Sequence, residues 1–316
     1  MTLTTDSAVR CSTWTREQSV DPVGTAGFYR GYLLIEVPLP WPRDVGQIAE
    51  IEAVAALTDV QGYRIQALVP SQGASERRVI LHSPPPAPAG SEGWFGGYVR
   101  TEAVAGDDLA ATVASIVSPT KAGGAVEAGA QPVDPPVDLL VCTHGRRDVC
   151  CGSLGTELAL DLAGRGWGRG RVELWRTSHT GGHRFAPTFL VLPAGSLWAY
   201  ADAALVDAVI NRTVAFRDVS HHYRGCAGLG PAPVQALERE VMRQVGWELL
   251  DRPRRGYETG EASALGGSLY RLETEAGAWE AVVRPGRTVA VPDCMRPLSD
   301  ARKTETEWVV SDLRPA

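Results

Sequence analysis

Two short stretches concentrate the side chains able to bind a metal or do thiol chemistry. The first, CTHGRRDVCCG (142–152), holds three of the six cysteines in the chain. The second, SHTGGH (178–183), holds two of its six histidines. Eight residues separate Cys142 from Cys151, and three separate His179 from His183. Cys150 adjoins Cys151, so spacing alone leaves either thiol available. Two cysteines and two histidines make four ligands, the complement of a zinc ion or of a [2Fe–2S] cluster.

Several chemistries compete for these residues. A zinc finger spaces its cysteines by two to four residues, and eight is wide for it. A structural zinc Cys2His2 module in a protein-interaction scaffold nevertheless stays open. A phosphatase-type nucleophile would want an arginine six positions after its cysteine, and those positions hold Asp148, Thr156 and Glu157. Dithiol redox chemistry would want CxxC, and no such pair occurs. The adjacent Cys150 and Cys151 would form only a strained disulfide. A thiol-dependent reductase using one of them is a weaker third reading. A [2Fe–2S] rhomb is larger than one ion and suits ligands drawn from two loops. Histidines in place of two thiolates make the centre less negative, which raises its potential, as in Rieske centres. A ligating imidazole keeps a second nitrogen that can lose a proton, so electron transfer becomes pH-dependent.

Other residues near the two stretches have supporting roles. Gly181 and Gly182 disfavour helix between the histidines and let the backbone approach a bulky cofactor. His144 is a candidate ligand or a prop for its loop through backbone hydrogen bonds. Arg146, Arg147, Arg176 and Arg184 flank the site and can stabilise a reduced, negative centre or guide an acidic partner. Arg224 is read as pairing with an acid or capping a turn. His221 and His222, read as strand neighbours, should point to opposite faces. Cys226 reads as a buried, inert thiol, and Cys11 and Cys294 as isolated structural ones.

The elements that must carry these loops are legible from periodicity. VDLLVC (137–142) reads as a buried strand that delivers Cys142 into its loop. LGTELALDLAG (154–164) reads as a helix, RVELWRTS (171–178) as a strand running into the histidine loop, and PTFLVLPAG (187–195) as a third strand. LWAYADAALVDAVINR (197–212) reads as a helix. Alternating strands and helices imply an α/β sheet, whose sites gather in loops that leave strands. Upstream, strands are expected at 28–41, 63–69, 77–83 and 93–100, with helices at 45–59 and 107–117. PPPAPAG (84–90) is a loop. A Gly/Ala/Pro-rich stretch at 120–136 reads as a linker. A helix at 231–246 and several short antiparallel strands follow. The expected division is 1–119 as a mixed α/β region, 120–136 as linker, 137–220 as the ligand-bearing domain, and 221–316 as a helix with a β extension.

Composition sets the boundaries of function. The 316-residue chain is 44% hydrophobic and 22% charged, ordinary for a globular protein. A net charge of −6 argues against a nucleic-acid binder. The most apolar stretch, near 189–210, is broken by Pro193, Asp202 and Asp207, so no membrane span is expected. The first residues lack an apolar run, which predicts a cytoplasmic protein whose cysteines remain thiols or bind metal.

CTHGRRDVCCG with SHTGGHRFAPTFLVLP resembles the sucrase/ferredoxin-like family. YRGCAGLGPAPVQALEREV (223–241) and GTAGFYRGYLLIEVPLPWPRD (24–44) are similar to it as well. The resemblance implies a thioredoxin-like ferredoxin domain and a [2Fe–2S] cluster held through Cx8C and Hx3H. Carried over, the ligands are Cys142, Cys151, His179 and His183, with Cys150 as the alternative thiol. His144, Arg147, Gly181, Gly182 and Arg184 would surround them. The implied function is one-electron transfer with a redox partner protein, rather than conversion of a substrate. No pair of carboxylates is recognisable for the glycoside hydrolysis that the word sucrase suggests.

Overall fold

The computed structural model describes the chain apart from residues 1–7, 72, 74–75, 87–91, 119–135 and 263–265. The expected linker therefore lies outside the described residues except at position 136, as does the end of the loop at 84–90.

The chain opens with β1 (Ala8–Val9) and α1 (Cys11–Glu17). A first half follows: β2 (Gly31–Glu36), α2 (Ala49–Ala55), β3 (Tyr63–Leu68), β4 (Arg77–Ser83), β5 (Val99–Ala105) and α3 (Leu109–Val117). A second half holds β6 (Val137–Cys142), α4 (Thr156–Gly164), β7 (Val172–Thr177), β8 (Phe189–Leu192), β9 (Ser196–Trp198) and α5 (Ala203–Ile210). Then come α6 (Phe216–Val219), β10 (Tyr223–Cys226) and α7 (Ala232–Val245). The chain ends with β11 (Arg254–Ala262), β12 (Gly267–Thr274), β13 (Gly277–Val291), β14 (Arg296–Pro297) and β15 (Lys303–Pro315).

Strands β2 to β10 form one sheet of nine, ordered β10-β9-β8-β6-β7-β3-β2-β4-β5. The fold is α/β, as the alternation of elements predicts. Every residue of β2 is buried, as are Asp138–Cys142 of β6. Such uninterrupted runs suit strands covered on both faces. β2 and β3 are parallel, and β4 then β5 add antiparallel beyond β2. β6 and β7 are likewise parallel, and β8 then β9 add antiparallel beyond β6. The two halves thus share one connection order and one strand order, β3-β2-β4-β5 and β7-β6-β8-β9. They meet edge to edge, with β3 and β7 antiparallel at Leu68 and Thr177.

A buried polar group locks the halves together. Asp138 on β6 contacts His82 Nε2 on β4 at 2.8 Å and accepts from Arg100 Nε on β5 at 2.8 Å. Trp175 on β7 donates to its other oxygen at 2.8 Å. Such a group persists in a core only when its hydrogen bonds are made.

Helix ends follow the expected chemistry. Asp108 caps α3 through the Ala111 N–H at 3.0 Å, and Asp202 caps α5 through Leu205 at 2.7 Å. α7 buries Val234, Leu237 and Val241 and stops at Gly246, where φ is +88°. It lies on a four-stranded antiparallel sheet ordered β11-β12-β13-β15, the expected helix and β extension. β10, which the sequence reading assigned to that extension, instead adds to the edge of the large sheet. β1 pairs with β14, which joins the two ends of the chain.

Several elements differ from the sequence reading. The helix expected at 197–212 starts only at Ala203, after β9 and the Asp202 cap, and the strand expected at 28–41 is only β2. The strand expected at 93–100 starts at Val99, because Gly93 and Gly97 adopt φ of +78° and +109°. The helix expected at 45–59 is only α2, flanked by single tight turns at Val45–Gln47 and Thr58–Val60. Among the described residues no helix is long and apolar enough to cross a membrane.

Candidate metal centre

Parallel pairing of β6 and β7 makes Cys142 the register partner of Thr177. Both loops therefore leave the same edge of the sheet. Loop 143–150 returns on itself through two glycines: a Cβ on Gly152 would lie 2.3 Å from Gly145 Cα. Cys151 opens a π-type turn (Cys151–Gly155) that leads into α4. A Cβ on Gly155 would lie 1.9 Å from the Cys142 carbonyl, so only glycine lets this turn sit against the end of β6. The result sets the Cys151 thiol against that of Cys142, both buried.

The second loop brings the histidines. Gly181 and Gly182 adopt φ of +87° and +67°. Fully buried Arg224 lies under them, donating from Nη1 to Gly181 O at 3.1 Å and from Nη2 to Thr25 O at 2.7 Å. A Cβ on Gly182 would strike this guanidinium at 2.4 Å. The first half steadies the other side: Arg64 and Gln66 of β3 donate to His179 O at 2.8 and 3.1 Å. The His179 and His183 rings lie 6.0 Å apart.

Electrostatics tie three of these residues together. The Cys142 thiol is held well below its ordinary pKa by hydrogen bonding from Cys151 and then by His179, against the effect of burial. Cys151 is pushed up by the same sharing with Cys142 and by burial. His179 Nδ1 is buried and makes no hydrogen bond, which is costly for a polar atom with no other partner. His183 has the opposite arrangement. Its Nε2 faces Pro292 O at 3.3 Å and Asp148 Oδ2 at 3.7 Å. Burial lowers its pKa, favouring neutral imidazole. Carboxylate or carbonyl contact at one nitrogen is the usual way a ligating histidine is oriented. The donor types, two soft thiols and two imidazoles, are those of a zinc ion or an iron–sulfur centre, but among the described residues these four are not gathered within single-ion distance.

A second group lies beside the first. Cys11, Asp148, Cys150 and Cys294 offer ligand atoms that all lie within 4.8 Å of one another. Cys150 Sγ is 3.1 Å from Cys294 Sγ, and Cys11 Sγ is 3.7 Å from Asp148 Oδ1. This Cys/Asp cluster is able to hold a metal ion. Its members come from α1, the first loop and the segment before β14. Sequence reading treated Cys11 and Cys294 as isolated and gave them no part, and Cys150 was only a substitute for Cys151. Here Cys150 turns toward Cys11 and Cys294. The only signal in the sequence was the thiols themselves, since the pairing of β1 with β14 that gathers them is two residues long.

A model of the sucrase/ferredoxin-like family matches residues 22–225, which span both halves and both loops. The chain belongs to the sucrase/ferredoxin-like family. No curated protein and no solved structure matches it. Within this family member the remaining predicted residues fall as follows. His144 props its loop, its Nε2 lying 2.8 Å from Pro42 O and its ring meeting Trp41 edge-on at 5.6 Å. Arg146 and Arg147 are exposed, and Arg147 lines a cleft with Arg43, Arg64, His144 and His179. Arg184 is no guide for a partner: it is buried, ion-paired with Glu305 and set over the Phe185 ring. Arg224 holds backbone rather than an acid. Cys226 is buried with its Sγ 3.6 Å from Ala194 O, as an inert thiol would be. His221 and His222 do not point to opposite faces of a strand. They lie in a tight turn (Ser220–His222) with their rings 4.0 Å apart.

Proposed function

We propose that Cys142, Cys151, His179 and His183 hold a [2Fe–2S] cluster and that the protein passes single electrons to and from a partner protein. The observation that carries this reading is the convergence of two buried thiols with a half-buried imidazole whose Nδ1 has no hydrogen bond, in a member of this family. The cluster, when bound, supplies one-electron chemistry at a potential above that of an all-cysteine centre. The protein's own residues do the rest. Burial of Cys142 and Cys151 excludes water from the thiolates. Arg64, Gln66 and Arg224 fix the backbone on either side of the histidines. Asp148 and Pro292 O face the outer nitrogen of His183, so its proton balance is linked to the centre, and the potential should vary with pH.

The cleft beside His179 carries Arg43, Arg64 and Arg147. An acidic redox protein docking there would meet a complementary rim, and its association rate would fall with salt.

The test is the visible spectrum of protein purified without oxygen, with iron and sulfide assayed on the same sample. Charge-transfer bands with about two irons and two sulfides per chain are expected. His179→Cys and His183→Cys should each shift those bands. Protein without iron or sulfide after anaerobic reconstitution would overturn the reading. Zinc lost on replacing His179 would then assign these four ligands to a structural zinc module.

A further inference from the structure

We infer that Cys11, Cys150 and Cys294, with Asp148 as fourth ligand, bind a single zinc ion that clips α1 and the segment before β14 over the first loop. The inference goes beyond the cluster reading and does not depend on it.

The donor set is the argument. Three thiols and a carboxylate converge from positions far apart in sequence, with the four donor atoms within 4.8 Å of one another. A tetrahedral zinc site has ligand-to-ligand edges of about 3.5 Å, inside this spread. Cys150 and Cys294, with their sulfurs 3.1 Å apart, lie within reach of one ion. A disulfide between those two would leave Cys11 and Asp148 unused in the same buried space. One ion uses all four. Cys11 and Cys150 are fully buried, Asp148 nearly so and Cys294 half-buried, which suits a structural site with four protein ligands. Thiolate donors select zinc over harder divalent ions, and zinc also outranks ferrous iron in intrinsic affinity.

The surrounding structure is already arranged for such a clip. Asp148 Oδ1 accepts from the Cys150 N–H at 3.0 Å, which sets carboxylate and thiol side by side. The β1–β14 pair, registered Val9 to Arg296, brings Cys11 and Cys294 to the same spot. The Met295 N–H donates to Val9 O at 2.8 Å and continues that contact. Cys150 directly precedes Cys151, so the ion would hold the loop that presents one of the proposed cluster ligands. Asp148 faces both centres.

The test is zinc and iron analysis of the full chain, wild type and variants, with intact mass under non-reducing conditions. Wild type should carry about one zinc per chain whatever its iron content. Cys11→Ser and Cys294→Ser should each lower zinc at least about tenfold and leave iron and sulfide unchanged. Cys142→Ser should do the reverse. Should the serine variants fold poorly, cobalt added to metal-free wild type gives a second readout: intense thiolate-to-cobalt bands of a tetrahedral site, abolished by competing zinc. Folded wild type that takes up neither zinc nor cobalt would overturn the inference. So would zinc retained in both serine variants, or a Cys150–Cys294 disulfide in the freshly purified chain.

Discussion

The two halves of the large sheet share their strand order and differ in what their loops carry. In the second half the end of β6 and the stretch after it hold three thiols, and the loop after β7 holds two histidines. In the first half the loop after β2 is VPLPWPRDVGQI, with no cysteine or histidine. That loop is not idle. Trp41 is buried, its Nε1 donating to Val37 O at 2.9 Å, and it meets His144, while Pro42 O accepts from the same histidine. β3 supplies Arg64 and Gln66 to the His179 carbonyl. One half bears the donor atoms and its counterpart holds their backbone. Sites that need sub-ångström placement benefit from such a rigid supporting layer.

Four experiments would break or sharpen this comparison. Asp138→Ala should have the largest effect, because His82 and Arg100 from one half would be left buried without their shared carboxylate. A loss of about 3–5 kcal/mol in urea unfolding is expected. Unchanged stability would mean the halves are not held by this group. Next comes a pair of glycines that precede corresponding helices. At Gly155 a Cβ meets the Cys142 carbonyl at 1.9 Å, whereas at Gly46 the nearest atom is the adjustable Asp44 side chain at 3.3 Å. Gly155→Ala should cost about 1–3 kcal/mol and reduce iron binding, while Gly46→Ala should stay within about 0.5 kcal/mol of wild type. Equal effects would remove the distinction between bearing and supporting loops.

Gln66→Ala tests the support itself. Its side chain donates to His179 O and accepts from Thr177 and Ser178, each at 3.1 Å. Leaving those groups unpaired should cost about 1–3 kcal/mol, and the midpoint potential or its pH dependence should move as His179 shifts. A stability loss with an unmoved potential would make Gln66 merely structural.

The smallest expected effect is on acid stability. Burial lowers the pKa of His82 below its ordinary 6.5, so below that pH the unfolded chain takes up a proton the folded chain refuses. Stability should fall as pH drops from 6.5 toward the folded value. Asp138, held below its ordinary 3.8 by His82 and Arg100 against burial, adds a further loss at more acidic pH. Urea midpoints measured across this range in wild type and His82→Gln check the sign. An identical slope in both would show that His82 does not contribute.

Much of this arrangement was legible in the sequence. Local signals work where one element decides its own fate: the run VDLLVC, the aspartate at the start of α3, and glycines between two histidines. They also placed Cys142 at the end of one strand, and Cys151, His179 and His183 in loops that leave strands. The missed features depend on contacts between distant segments. Cys150 and Cys294 are 144 positions apart, and Cys11 and Asp148 are 137 apart. No periodicity links them. The shared strand order of the halves leaves no repeat in the sequence, because the same hydrogen-bonded ladder accepts many side chains. Arg184 was misread because its partner, Glu305, lies on the last strand, and a charge near a site looks available until that partner is known. His221 and His222 were misread because their tight turn carries no glycine or proline to announce it.

The pairing of β1 with β14 has a consequence in time. Residues 8 and 9 are made well before their partners at 296 and 297. The sheet strands that carry the two loops are complete once β9 has been made. At typical rates of translation, roughly ten seconds separate His183 from Cys294. During that interval β1, which leads into Cys11, has no β14 to pair with. Of the four clustered donors, Cys294 is therefore the last to be made, long after Cys11, Asp148 and Cys150.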